Sequence, residues 1–297
     1  MPRPDEATPS TASLPTLRFG HSPDPDDAFM FYGFAVDAVQ VEEPAENGGR
    51  RWRVEHVLED IQSLNERAMT GELEITAISA HAYPYVADRY WVMRTGVSMG
   101  DGYGPILVSR EPRTLAQLSG ARIAIPGLMT TAALALKFYV DSYRAQITPF
   151  DRILDVVREG EVDAGLVIHE GQLTFERDGL HKIADLGALW KQDTGLPLPL
   201  GLDLVRKDLG RPVAEACTRA LRASIEYARA HEAEAMDYAL RYGRGLDQQL
   251  GRRFVGMYVN EWTLDLGERG VAALSLLLQR GADAGYVPRL VEPIRLV

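Results

Sequence analysis

Short apolar runs of strand length alternate along the chain with longer amphipathic segments, and the clearest run is residues 164–168. This run is continuously apolar, which is typical of a strand covered on both faces. It ends at two ionisable residues, His169 and Glu170. In an open α/β sheet, groups just beyond the carboxyl end of a strand face the ligand crevice. The pattern therefore predicts a buried strand that carries His169 to a binding site.

A first strand–loop–helix unit is predicted near the N-terminus. Strand 17–20 leads into a loop in which Asp24 is the natural N-cap of the following helix. Asp26 and Asp27 in the first helical turn would repel an anion, and plain capping explains them at least as well as ligand binding. Ser22, which adds no charge, is therefore the better candidate for a ligand contact.

A second strand–loop–helix unit is predicted in the middle of the chain. Strand 121–125 leads to Thr130 and Thr131, which open a helix over residues 132–140. No acidic residue competes at this helix N-terminus, so its free N–H groups and two hydroxyls suit a carboxylate or phosphate. Capping accounts for one threonine, and the second is harder to explain without a ligand.

Another strand, residues 73–79, also ends among polar and aromatic residues. It follows a strand at 51–58 and a helix over residues 60–69. Ser79 stands at its end and His81 follows in the loop. For His81 the pattern favours an ordinary loop histidine over a ligand contact.

The chain crosses twice between two α/β units. The glycine-rich turn 100–105 is followed by a strand rather than a helix, so it indicates a crossing and not a phosphate cradle. The segment 194–202 cannot be a helix, and its two prolines disfavour a central strand, so it indicates a stiff return crossing. Two crossings around a cleft predict an α/β, two-lobed, periplasmic-binding-protein-like (type II) fold with the ligand between the lobes. We predict a disordered tail (1–16), a large lobe (17–105 and 202–297) and a small lobe (106–201).

Composition supports this organisation and argues against several classes of protein. The 297 residues, 46% hydrophobic and 25% charged, exceed the size at which one core usually stops growing. A net charge of -10 without a Lys/Arg run argues against a nucleic-acid partner or an anionic membrane surface. The only cysteine, Cys217, excludes an intrachain disulfide and is expected in a helix core or flank. The absence of a signal-like or membrane-spanning apolar segment predicts a cytoplasmic protein without membrane insertion.

Four segments stand out together: residues 20–29, 127–132, 164–170 and 193–201. In this order they resemble the motifs of the 1,4-dihydroxy-6-naphthoate synthase family of the futalosine route to menaquinone. The likeness extends from about residue 17 to about residue 266. The His-Glu pair and the Leu-Pro-Leu-Pro-Leu-Gly run are its most specific parts in combination.

The resemblance implies a cytoplasmic carbon–carbon lyase that needs no cofactor and no metal. It would convert a small-molecule carboxylate, cyclic dehypoxanthinyl futalosine, into 1,4-dihydroxy-6-naphthoate, and it names no protein partner. The family's proton-abstracting base falls on His169. The family's substrate contacts fall on Thr130, Thr131 and Ser79. The full set of predicted substrate-binding residues is Ser22, Ala77, Ile78, Ser79, Thr130 and Thr131.

The first motif departs from the family pattern. The family usually has Ser-Pro-Cys-Pro-Asn-Asp-Thr, whereas here Asp24 replaces the cysteine and Asp26 replaces the amide. We expect this exchange to remove a hydrogen-bond donor from the cleft and to add negative charge. It argues against a role for Asp26 and leaves room for a different substrate.

Histidine suits this chemistry because its ordinary pKa lies near neutrality, and proton removal followed by ring opening and aromatisation needs a positioned base. Glu170 or an outside partner would orient the ring, since adjacent residues on an extended chain point apart. A hydrogen-bonded histidine without a catalytic role is the alternative for His169. Two other functions stay open: a solute-binding protein of the same fold, which normally carries a signal peptide or lipid anchor, and the related chorismate dehydratase.

Overall fold

A computed structural model describes residues 14–297, which form two β-sheets with helices packed around them. The strands are β1 (Thr16–His21), β2 (Val41–Glu42), β3 (Arg51–Leu58), β4 (Ile75–Ser79), β5 (Tyr90–Val92), β6 (Ser98–Gly100), β7 (Ile106–Ser109), β8 (Arg122–Ile125), β9 (Arg144–Ile147), β10 (Ala164–Val167), β11 (His181–Asp185) and β12 (Leu198–Arg206). The helices are α1 (Pro25–Met30), α2 (Tyr32–Ala35), α3 (Ile61–Thr70), α4 (Thr131–Tyr139), α5 (Ile153–Glu159), α6 (Gly171–Thr174), α7 (Leu186–Thr194), α8 (Arg211–Ala230), α9 (Glu232–Ala239), α10 (Gln248–Tyr258), α11 (Glu261–Leu264) and α12 (Gly267–Asp283).

The larger sheet has the strand order β2-β3-β1-β4-β12-β5, and β6 pairs with β12. In it, β1 runs parallel to β3 and β4, whereas β12 is antiparallel to β4. The smaller sheet has the order β11-β7-β10-β8-β9, with β8 and β10 parallel. The parallel strands of each sheet therefore end at a common edge, which gathers the residues that follow them.

Strand β10 is covered on both faces, as its apolar run predicts. All four of its residues are buried. On one face Gly165 lies under α5, where an added Cβ would come within 2.7 Å of the Ile153 and Val157 side chains. On the other face Ala164 and Leu166 join the largest apolar cluster, which also contains residues of α4 and α12. This packing fixes the exit point of the strand.

The prediction that segment 194–202 does not form a central strand is wrong for its second half. Its second half begins β12, which lies between β4 and β5 in the larger sheet. Pro199 is tolerated because it is the second residue of the strand and stands at an irregular register between Met99 and Ser98. Proline is accepted at such positions because no regular ladder bond needs its missing N–H. Helix α7, which starts at Leu186, was not predicted.

The proposed division into lobes stays a prediction. The strands of the smaller sheet all lie between Ile106 and Asp185, and β12 of the larger sheet begins at Leu198. The predicted tail lies outside the described residues up to residue 13, while Thr16 already belongs to β1. Cys217 is buried in α8, as expected, and burial raises the pKa of its thiol to about 12. Among the described helices none is long and apolar enough to cross a membrane.

Candidate active site

A cleft with about 750 Å³ of empty space, part of it open to solvent, is lined by residues of both sheets. Its walls are the segments that follow β1, β4, β8 and β10, together with β12 and α10. All seven predicted site residues line it, although their roles stay predictions: Ser22, Ala77, Ile78, Ser79, Thr130, Thr131 and His169.

His169 stands two residues beyond the end of β10, in a left-handed backbone conformation with φ 55°. This region is costly for most side chains, and histidine, asparagine and aspartate adopt it more readily than others. The turn aims the imidazole into the cleft instead of letting it follow the strand direction. Its ring packs edge-on against Phe150, with centroids 4.8 Å apart. The imidazole is therefore held by backbone and packing together.

The imidazole is paired with Asp24. Its Nδ1 lies 3.0 Å from Oδ2 of Asp24, while the other carboxylate oxygen accepts the N–H of Asp27 as the N-cap of α1. Burial lowers the pKa of His169, but the charge and hydrogen bond of Asp24 outweigh it and raise that pKa above its usual value. Burial likewise raises the pKa of Asp24, and its contact with His169 outweighs this and lowers it. Nε2 of His169 is buried and has no hydrogen-bond partner among residues 14–297.

Glu170 does not orient the imidazole. Its Oε1 lies 3.4 Å from Nη1 of Arg244, so the carboxylate is turned toward that guanidinium. Arg244 also lies over the Phe150 ring, 4.8 Å from its centroid, and reaches the Pro23 carbonyl at 3.5 Å. The outside partner that the sequence left open for His169 is therefore Asp24, the residue that departs from the family motif.

Asp26 and Asp27 also line the cleft. Burial, together with the charge of Asp24, raises the pKa of both carboxyl groups well above their usual range. Asp26 is 7% exposed, and its Oδ1 has no hydrogen-bond partner among the described residues. The raised pKa favours the neutral form of Asp26, and a neutral carboxyl group keeps a hydrogen-bond donor as an amide would, so the expected gain of negative charge at Asp26 stays a prediction.

A group that could hold a metal ion lies at the same place. Asp24, Asp26 and His169 offer ligand atoms that lie within 4.8 Å of one another. The sequence did not indicate it, because His169 is remote along the chain from the two aspartates. In the structure Asp24 and His169 bond to each other directly, which satisfies Nδ1 of the imidazole without an ion.

The N-terminus of α4 forms another wall of the cleft. The Thr130 hydroxyl caps the helix by accepting from the Ala133 N–H at 3.1 Å. The Thr131 hydroxyl donates to the Leu200 carbonyl at 2.7 Å and accepts from the His81 N–H at 3.2 Å. Both hydroxyls thus have protein partners, which accounts for the second threonine without a ligand. The donors left for an anion are the first backbone N–H groups of the helix.

His81 has the structural role that the pattern favoured. It is 1% exposed, and its Nδ1 lies 3.0 Å from the Thr130 carbonyl. Burial lowers the pKa of this histidine to about 4, so it is neutral near pH 7. It holds the turn before α4 and does not line the cleft.

Asn65 of α3, which sequence reasoning missed, fixes Ser79. Its Oδ1 accepts from the Ser79 N–H at 2.8 Å, and its Nδ2 donates to the Ser79 hydroxyl oxygen at 3.1 Å. The hydroxyl proton of Ser79 is left for a ligand. The Ser22 hydroxyl is buried without a partner among the described residues, which also leaves it for a ligand. The only sequence signal for Asn65 was its position beside Leu64, on a helix face that turned out to be buried.

The fold defines the class: a two-sheet α/β protein with the periplasmic-binding-protein fold. Its structure is similar to the alkanesulfonate-binding protein SsuA from Xanthomonas axonopodis pv. citri, with a TM-score of 0.70 at 15% identity over 96% of this chain and 100% of that chain. This likeness confirms the predicted fold. Protein AF1704 from Archaeoglobus fulgidus has a TM-score of 0.85 at 44% identity over 92% of this chain and 98% of that one.

The particular family follows from the sequence comparisons. A model of the menaquinone biosynthesis family matches residues 17–283. Two relatives are named 1,4-dihydroxy-6-naphthoate synthase: one from Thermus thermophilus, 40% identical over 95% of this chain and 99% of that protein, and one from Streptomyces coelicolor, 36% identical over 94% and 97%. The chain therefore belongs to the menaquinone biosynthesis family, and the predicted resemblance is confirmed.

Proposed function

We propose that the protein is a lyase that converts cyclic dehypoxanthinyl futalosine into 1,4-dihydroxy-6-naphthoate, with His169 as the base. The names of its relatives give the product. The observation that carries the proposal is the contact of Asp24 with Nδ1 of His169, which leaves Nε2 without a protein partner in the cleft. An imidazole that is hydrogen-bonded at one ring nitrogen and free at the other is arranged as a general base.

Asp24 sets the state of the base. As an acceptor it keeps the proton of the neutral imidazole on Nδ1, so the lone pair is on Nε2. Nε2 takes a proton from the carbon next to the substrate carbonyl, and the electron pair left behind forms an enolate. Collapse of the enolate opens the ring, and aromatisation supplies driving force. The carboxylate of Asp24 stabilises the imidazolium that forms.

The carboxylate of the substrate belongs at the N-terminus of α4. The first turn of this helix has no acidic residue, and its free N–H groups with the positive end of the helix dipole favour an anion. Thr130 and Thr131 act by holding this turn in place. Ser79 and Ser22 also line the cleft and offer hydroxyl donors. No lysine or arginine of residues 14–297 lines the cleft, so the site suits a single negative charge rather than a phosphate.

The reaction follows from acid–base chemistry and does not require a resident cofactor. The raised pKa of Asp26 and Asp27 favours their neutral forms, which would add donors without adding charge next to the base. Movement of the two walls toward each other would exclude water and orient the substrate. All groups named in these steps belong to the chain itself.

An assay of the purified protein against two pathway substrates tests the proposal. We expect naphthoate, detected by its absorbance, from cyclic dehypoxanthinyl futalosine, with the rate unchanged after treatment with EDTA. Chorismate should give no product. A rate that EDTA abolishes and a divalent metal restores would instead assign Asp24, Asp26 and His169 to a metal site.

The same assay separates the alternatives. Conversion of chorismate alone would show the dehydratase. Tight binding of cyclic dehypoxanthinyl futalosine without turnover, at any pH between 5 and 9, would favour a solute-binding protein. Either result contradicts the lyase.

A further inference from the structure

Asp203 is a buried carboxyl group for which neither the fold nor the proposed base has a use. It lies in the middle of β12, opposite Ala77 of β4, and is 2% exposed. It lines the cleft. Its Oδ2 is buried without a hydrogen-bond partner among the described residues. A strand in the centre of a sheet would be more stable with an apolar residue here, because burial of an unpartnered carboxyl group is costly.

The chain makes room for this carboxyl group. Gly96 lies directly against it, and a Cβ on Gly96 would overlap Oδ2 of Asp203 and approach Leu221 within 2.7 Å. Gly96 has a φ of +90°, which also favours glycine. The local backbone is therefore shaped around the carboxyl group.

The surroundings of Asp203 favour the uncharged form of its carboxyl group. Burial raises the pKa of this group well above the usual range, because the charged form loses its solvation there. A neutral carboxyl group offers one O–H donor and acceptor oxygens. This combination matches a hydroxyl group, which also donates and accepts.

The position along β12 separates this group from the anion-binding end. Thr131 at the start of α4 donates to the Leu200 carbonyl, and Asp203 follows three residues later on the same strand. At 3.2–3.4 Å per residue this is about 10 Å. The cleft thus has a carboxylate-binding end at α4 and a neutral hydrogen-bonding end at Asp203.

We propose that Asp203 determines specificity by binding a hydroxyl group of the substrate at the end of the cleft remote from α4. The inference rests on the proposed function, since a futalosine that has lost its base retains a sugar-derived part with hydroxyl groups. Asp203 then orients the substrate between two fixed ends, with His169 free to reach the reacting carbon. Its effect is on binding, and the proton transfer belongs to His169.

The test compares Asp203→Leu and Asp203→Asn with Asp208→Asn as the matched control. Asp208 follows β12, is exposed and pairs with Arg206 outside the cleft. In the His169→Asn background, which does not consume the ligand, calorimetry measures the Kd of cyclic dehypoxanthinyl futalosine. We expect Asp203→Leu to weaken binding at least about tenfold, Asp203→Asn to weaken it less because an amide still donates and accepts, and Asp208→Asn to change nothing.

Thermal unfolding of the ligand-free variants distinguishes a binding role from a structural one. If the carboxyl group serves the ligand, Asp203→Leu unfolds at the same temperature as the parent or higher, because an unpartnered buried group is gone. A fall in Tm of more than about 5 °C, or unchanged ligand binding in Asp203→Leu, overturns the proposal.

Fragments keep this test separate from that of the proposed function. Ligand-observed NMR with D-ribose and with benzoate probes the two ends of the cleft without any turnover. We expect the ribose signal to be lost in Asp203→Leu and kept in Asp208→Asn, while benzoate binds to both. The hydroxyl site is contradicted if the parent protein does not bind ribose, or if Asp203→Leu leaves ribose binding unchanged. This holds even if the protein converts the substrate. Failure of the protein to convert the substrate, with ribose behaving as expected, contradicts only the lyase.

Discussion

Oδ2 of Asp24 lies 3.0 Å from Nδ1 of His169, across 145 residues of sequence and between the two sheets. Asp24 belongs to the larger sheet, at the start of α1, and His169 follows the central strand of the smaller one. The proposed base and the group that orients it therefore follow strands of different sheets. Relative movement of the two sheets would change this contact, so the proposed mechanism couples closure on the substrate to activation of the base.

Asp24→Asn is expected to lower kcat by about 10²-fold or more. An asparagine amide that donates to Nδ1 favours the tautomer with its proton on Nε2, which removes the base. Loss of the Asp24 charge also lowers the pKa of His169, since that charge raises it. The acid limb of the pH–rate profile, which rises as His169 loses its proton, should move to lower pH.

Asp185→Asn is the control for this variant. Asp185 caps α7 after β11, as Asp24 caps α1 after β1, but it does not contact an imidazole. Its exchange should leave both kcat and the acid limb unchanged. An Asp24→Asn protein with normal kcat would show that the contact does not set the tautomer.

Arg244→Gln is expected to move the acid limb in the opposite direction. The charge of Arg244 lowers the pKa of His169, so its removal raises that pKa and shifts the limb to higher pH. Arg177→Gln is the control, because Arg177 reaches the neighbouring Gly245 carbonyl at 3.2 Å without acting on His169. A measurement of kcat/KM between pH 5 and 9 checks both variants. A shift of the same sign in Asp24→Asn and Arg244→Gln would contradict the electrostatic account.

Thr131→Val is expected to reduce the free energy of unfolding by about 1–3 kcal/mol, because it leaves the His81 N–H and the Leu200 carbonyl without their buried partner. The KM for the substrate should also rise, since the turn that presents the α4 N–H groups loosens. Thr131→Ser keeps the hydroxyl and should retain most of both properties. Urea unfolding and steady-state kinetics measure the two effects. Equal stability of the valine and serine variants would argue against the bridging role.

Asp203→Asn should flatten the dependence of stability on pH. The pKa of Asp203 is raised in the folded state, so between about pH 4 and the raised value the folded chain holds a proton that the unfolded chain has lost. The free energy of unfolding of the parent therefore falls as pH rises through this window. Tm is measured from pH 4.5 to 6, a range below the usual pKa of histidine. Over this range Tm should fall less with rising pH in the variant than in the parent. An equal slope in both proteins would show that Asp203 is ionised when folded.

The sequence predicted the parts of the site that depend on strand ends. One such part is the apolar run before His169. Another is the set of polar residues that follow the strands ending at Ser79 and before Thr130. Both could be predicted because the carboxyl ends of parallel strands meet at one edge of a sheet. The assignment of Asp24 as an N-cap was also correct. These features are local, so residue type and spacing suffice.

Side-chain contacts between residues far apart in the chain could not be predicted from the sequence. Asp24 seemed to weaken the family motif, and its contact with His169 depends on how the two sheets meet. Asp203 was not singled out: it stands between two leucines, directly after segment 194–202, which its prolines led us to interpret as a crossing. Whether a buried polar residue serves the core or the ligand depends on its partners, and these are set by tertiary structure.

Turnover and binding by His169→Asn test the central claim most directly. Asparagine accepts the left-handed backbone at this position, so the variant should fold with an intact cleft. We predict that it binds cyclic dehypoxanthinyl futalosine with a Kd near that of the parent and forms 1,4-dihydroxy-6-naphthoate at least about 10²-fold more slowly. A variant that forms the product at a near-normal rate would contradict the assignment of His169 as the base.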